Sequence, residues 1–73
     1  MTVDVKLLES TIGEKGMTIE EFSKAIGINP STYYRKKEKG CLTFSVGQMH
    51  STVEVLNLTP AQAVAVFLNE NSH

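Results

Sequence analysis

Five times along the chain an apolar residue precedes a capping residue, and a second apolar residue follows that cap by four positions. The pairs are Val3–Leu8 around Asp4, Met17–Phe22 around Thr18, Ile28–Tyr33 around Asn29, Phe44–Met49 around Ser45 and Leu58–Ala63 around Thr59. Such a pair is a hydrophobic staple that fixes how the chain enters a helix, while the cap oxygen accepts from a free N–H of the first turn. Pro30 and Pro60 stand at the first helical position, where no N–H is needed. Thr18 with Glu21, Ser45 with Gln48 and Thr59 with Gln62 complete reciprocal capping boxes. Gly16 and Gly27 suit the left-handed position after a helix, and Gly40 and Asn57 can serve likewise. The pattern predicts helices over 4–14, 19–26, 30–38, 46–56 and 60–69.

Within those spans the apolar residues recur at helical spacing. The first helix aligns Val5, Leu8 and Ile12 with Leu7 beside them, and the second aligns Ile19, Phe22 and Ile26. The fourth aligns Val46, Met49, Val53 and Leu56. Each helix buries one stripe and none stands alone, so the expected fold is all-α, a compact five-helix domain covering residues 1–73. The last helix departs from this pattern. Ala61, Ala63, Val64, Ala65, Val66, Phe67 and Leu68 make it apolar on nearly every side. One reading is a two-fold subunit interface built on Val64, Phe67 and Leu68, giving a homodimer. The other packs Val64 and Phe67 inward and leaves the alanines outside.

Length sharpens the question of stability. With 73 residues the chain buries only about 60% of the surface its unfolded form exposes, so caps, one core or a partner chain must hold it. Cys41 is the one cysteine, which excludes an internal disulfide. His50 and His73 lie far apart with no cysteine cluster beside them, so neither a metal site nor a cofactor is expected. Cys41 reads as a small half-buried thiol and His50 as a surface residue. No activating base marks either for catalysis, and an enzyme is not expected. Glu9, Glu14, Glu20 and Glu21 read as surface charges. The first residues lack a basic start and an apolar run, and the apolar stretch 63–68 is too short to span a bilayer. A soluble protein without a membrane partner, located in the cytoplasm, is the expectation.

The net charge of −1 runs against a nucleic-acid partner, but its distribution does not. Residues 29–41 hold Arg35, Lys36, Lys37 and Lys39 against Glu38 alone, for +3. The rest of the chain carries three lysines and seven acids, for −4. The positive charge therefore gathers in and just after the third helix. Alone, that run reads as a solvated face with favourable charge at a helix C-terminus. Its position after a glycine turn and a capped short helix turns the reading toward nucleic acid.

The stretch Met17-Thr-Ile-Glu-Glu-Phe-Ser-Lys-Ala-Ile-Gly-Ile-Asn-Pro-Ser-Thr-Tyr-Tyr-Arg-Lys resembles the helix-turn-helix of phage Cro and CI-type repressors. The likeness extends to Glu14-Lys15-Gly16-Met17-Thr18 and to Val55-Leu56-Asn57-Leu58-Thr59-Pro60, similar to those lambda-repressor-like five-helix domains. Two positions depart from the pattern. Ser23 stands where that family usually has alanine, at the crossing of the second and third helices, and its small hydroxyl can bond its own helix backbone. Lys36 stands where an apolar residue usually packs inward, leaving Tyr33 as the main anchor with the Lys36 stem along the core and its ammonium in water.

The resemblance implies a transcription regulator of a phage or prophage switch, acting on double-stranded DNA in a bacterial host cell. In such a motif the second helix enters the major groove. By position Ser31, Tyr34 and Arg35 face the bases, with Thr32 near them. The Arg35 fork suits guanine O6 and N7 together. Asn29, Lys36, Lys37 and Lys39 suit phosphates, and the backbone N–H groups beside Thr18 make another phosphate seat. Asn29 and Thr18 are helix caps first, and Tyr34 reads equally as an exposed aromatic. A second implication belongs to another class. Such switches also encode antirepressors, and the net acidity fits a modulator that contacts the basic face of a partner repressor protein.

Overall fold

The computed structural model describes residues 3–40 and 42–68. They form five helices: α1 (Val5–Glu14), α2 (Ile19–Ala25), α3 (Pro30–Glu38), α4 (Val46–Leu56) and α5 (Pro60–Phe67). No strand occurs among the described residues. The Cα radius of gyration is 11.2 Å, about what a compact chain of this length gives. Every predicted helix is present within two residues of its expected ends. The expected last residue of the fifth helix, 69, lies outside the described residues, as does Cys41.

The caps explain why the helices begin where they do. Asp4, Thr18, Asn29, Ser45 and Thr59 each accept a backbone N–H of the first turn in extended backbone geometry. The three capping boxes close reciprocally, for example with the Thr18 N–H donating to Glu21 Oε1 at 2.9 Å and the Glu21 N–H donating to Thr18 Oγ1 at 3.1 Å. The ends are as regular. Gly16, Gly27, Gly40 and Asn57 all have positive φ. At Gly27 the Ile28 N–H donates to the Ser23 carbonyl and the Gly27 N–H to the Lys24 carbonyl, a Schellman closure that satisfies two orphan acceptors of α2.

The core is continuous: Leu8 and Ile12 from α1, Phe22 and Ile26 from the α2 end, Tyr33 from α3, Leu42, Leu56 and Leu58, and Val66 and Phe67 from α5. Helix α2 packs on α1, α3 and α4, and α1 also packs on α5. The Asp4 N–H donates to the Val66 carbonyl at 2.9 Å, so the entry to α1 closes a C-terminal acceptor of α5. Phe44 meets Phe67 edge-on at 5.7 Å, fixing the segment that leads into α4.

Two expectations about which faces turn inward need correction. Val46 is 68% exposed, and fully buried Thr52 lies on the α4 stripe instead. Its hydroxyl donates to the Gln48 carbonyl at 2.8 Å, which removes the cost of burying it, and Thr11 does the same with Leu7. In α5 the inward pair is Val66 and Phe67, while Val64 is half exposed. The staple decides this, because Ala63, which closes on Leu58, shares a helical stripe with Val66 and Phe67 rather than with Val64. Ser23 is fully buried, and its Oγ has no hydrogen-bond partner among the described residues.

Candidate functional site

Helix α3 is nine residues long, opened by Asn29 and Pro30 and closed by Gly40. Asn29 Oδ1 accepts the Ser31 N–H at 2.8 Å, and Asn29 is itself exposed. One side of the helix is fixed by Tyr33, which is fully buried. The opposite side carries Ser31, Tyr34, Arg35 and Glu38, all exposed and related by helical spacing. Thr32 and Lys36 lie at the margins and are half-buried; the Lys36 stem thus lies against the body of the protein, as its long methylene chain allows. Lys37 and Lys39 are exposed at the end of the helix.

A carboxylate from α1 organises this helix. Glu9 Oε2 accepts the Tyr33 hydroxyl at 2.9 Å, and Lys37 Nζ lies 3.0 Å from Oε1 and 2.8 Å from Oε2 of the same group. Glu9 is therefore no solvated surface charge, in contrast to the sequence expectation. It bridges α1 and α3. Burial, reinforced by the Glu9 bond and charge, pushes the Tyr33 hydroxyl well above the ordinary tyrosine range, so it remains a donor. Tyr34 leans edge-on against Tyr33 with ring centres 5.6 Å apart, which holds an exposed aromatic in place at the front of the helix.

The Glu9 contact was not legible from α3, because its partners lie 24 and 28 residues away. A signal did exist on α1. Glu9 sits inside the stripe of Val5, Leu8 and Ile12, where a charge needs a partner.

Not all predicted site residues emerge equivalent. Ser31, Tyr34 and Arg35 share one open face, with Lys39 beyond them. Lys37 is already paired. Glu38 lies one turn from Tyr34 and Arg35 and places a negative charge on that face. Thr18 is exposed at the start of α2, but its N–H and that of Glu21 are closed by the capping box, and the carboxylates of Glu20 and Glu21 occupy the first turn. The expected phosphate seat there is thus reduced to the N–H groups of Ile19 and Glu20, under two negative charges.

The residues expected at a subunit interface divide. Phe67 is largely buried in the chain's own core, and Val64 and Leu68 are about half exposed. With Met49, His50, Val53 and Ala63 they line a shallow apolar groove of about 230 Å³ between α4 and α5. His50 is exposed at its edge, as expected.

Among the described residues no helix is long and apolar enough to cross a membrane, and no cluster of three or more His, Cys, Asp or Glu is placed to hold a metal ion. The architecture defines the chain as a compact all-helical protein of five capped helices. No protein-family model, curated protein or solved structure matches it.

Proposed function

We propose that this protein is a sequence-specific DNA-binding transcription regulator, with α2 and α3 as a helix-turn-helix and α3 as the helix that enters the major groove. The observation that carries this reading is the open face of α3. Ser31, Tyr34 and Arg35 point away from a helix whose other side is anchored by Tyr33 and Glu9. An exposed arginine on a short capped helix suits bidentate recognition of guanine. Lys36 and Lys39, together with the Asn29 amide, suit the flanking phosphates. The resemblance to phage Cro and CI-type repressors extends this to a switch in a bacterial cytoplasm.

Gel-shift titration against DNA flanking its own gene tests the reading. Wild-type protein should prefer one segment, and Arg35→Ala should remove that preference, at a cost of about 1–3 kcal/mol at the affected base pair. Unchanged affinity and preference in Arg35→Ala would sink the assignment of α3 as reader.

A second reading is favoured by the acidic first turn of α2, where a phosphate would meet Glu20 and Glu21. An antirepressor would use such a surface against the basic face of a partner repressor. It would show little DNA binding alone and would co-elute with that repressor.

A further inference from the structure

We propose that Glu9 selects which cations of α3 reach DNA, withdrawing Lys37 from the phosphates and leaving that work to Lys36 and Lys39. The inference rests on the DNA-binding reading above and deepens it.

Both oxygens of the Glu9 carboxylate are engaged. Lys37 Nζ lies within 3.0 Å of each, and Oε2 also accepts the Tyr33 hydroxyl. Tyr33 is fully buried and braced against Tyr34, so the hydroxyl that holds Glu9 has little room to move. Glu9 is consequently a preorganised anion at the back of α3. A DNA phosphate competing for Lys37 would have to draw the ammonium off a carboxylate that is already in place. Arg35, Lys36 and Lys39 form no ion pair among the described residues and face no such competition.

The consequence is a phosphate count one lower than the lysines of α3 suggest. Each phosphate neutralised on duplex DNA adds about −0.9 to the slope of log K against log salt. One contact more or less therefore changes the affinity lost between 50 and 200 mM salt by about 3.5-fold.

The experiment measures fluorescence anisotropy on two labelled duplexes, one carrying sequence that flanks the protein's own gene and one of random sequence, across that salt range. Wild type, Glu9→Gln, Lys37→Gln and the double variant are compared. Glutamine keeps an oxygen for the Tyr33 hydroxyl and removes the charge. Lys37→Gln should match the wild-type slope. Glu9→Gln should steepen it by about 0.9, and the double variant should return it to the wild-type value. A shallower slope in Lys37→Gln with no change in Glu9→Gln would overturn the proposal. So would a Glu9→Gln protein that binds more weakly at every salt concentration with an unaltered slope, since that marks a merely structural carboxylate. Lys37 is exposed near the end of α3, so even if Glu9→Gln folds poorly a shallower slope in Lys37→Gln alone overturns the proposal. Absence of salt-dependent binding by all four proteins is a different result: it overturns the DNA-binding reading itself, and the role of Glu9 with it.

Discussion

Tyr33 and Ser23 show how single atoms set local stability. The Tyr33 hydroxyl is buried against Glu9 and resists ionisation in the folded protein, whereas in the unfolded chain it titrates near the ordinary value of about 10. Between these two values the folded state holds the proton that the unfolded state loses. Its contribution is therefore intact below about pH 10 and declines as pH rises above it, by up to about 1.4 kcal/mol per pH unit. Urea denaturation at a series of alkaline pH values should record this fall, and Tyr33→Phe should flatten it while losing about 1 kcal/mol at neutral pH. The Ser23 Oγ has given up water without gaining a partner among the described residues. Ser23→Ala should consequently stabilise the protein by about 1 kcal/mol, seen as a rise of roughly 4–8 °C in Tm. A fall in Tm would mean that the hydroxyl is bonded after all.

At the level of the element, all five helices are capped at their starts, and α1 to α4 also at their ends, by chemistry local in sequence, while the end of α5 is met by the distant Asp4 N–H. Gly27 joins α2 to α3 with φ at +81°, and a Cβ placed there would meet nothing within 4 Å. Gly27→Ala therefore tests conformation alone, without a clash. It should cost about 1–2 kcal/mol by equilibrium denaturation, the penalty of left-handed backbone for an L-residue. A larger loss would show that the turn also sets the packing of α3. The caps and stops were readable because each depends on residues within a few positions of one another. The same locality explains the failures on the helix faces. Thr52 and Thr11 are polar letters that behave as apolar ones once bonded to the preceding turn, so the stripe through Met49, Thr52, Val53 and Leu56 was hidden behind Val46.

For the whole molecule, the margin is small. A chain of this length is stabilised by about 4–11 kcal/mol in total. Phe22 is fully buried in α2, the helix that touches α1, α3 and α4. Phe22→Ala should remove about 3–5 kcal/mol and leave circular dichroism melts broad and shifted far down. The outer side of α5 poses a separate question of assembly. Val64 and Leu68 are exposed while Phe67 is committed to the core, so any two-fold contact must rest on the first two and on the groove beside them. Sedimentation equilibrium on wild type and Val64→Glu should show a pairing that the variant abolishes. A wild type that stays monomeric at every concentration would leave α5 as a plain surface helix.

Five helices, their caps and the stops at Gly16, Gly27, Gly40 and Asn57 were determined by the sequence alone, because hydrogen bonds within one turn and staples across five residues need no other part of the chain. The open face of α3 followed too, since Tyr33 is its main inward anchor and Ser31, Tyr34 and Arg35 lie away from it at helical spacing. What only the tertiary structure decided lies between elements: that Glu9 crosses from α1 to bind Tyr33 and Lys37, that Val66 rather than Val64 enters the core, and that Ser23 is left without a partner among the described residues. These depend on how far apart two helices settle and at what rotation, quantities fixed by packing the whole core at once and by no single stretch of residues.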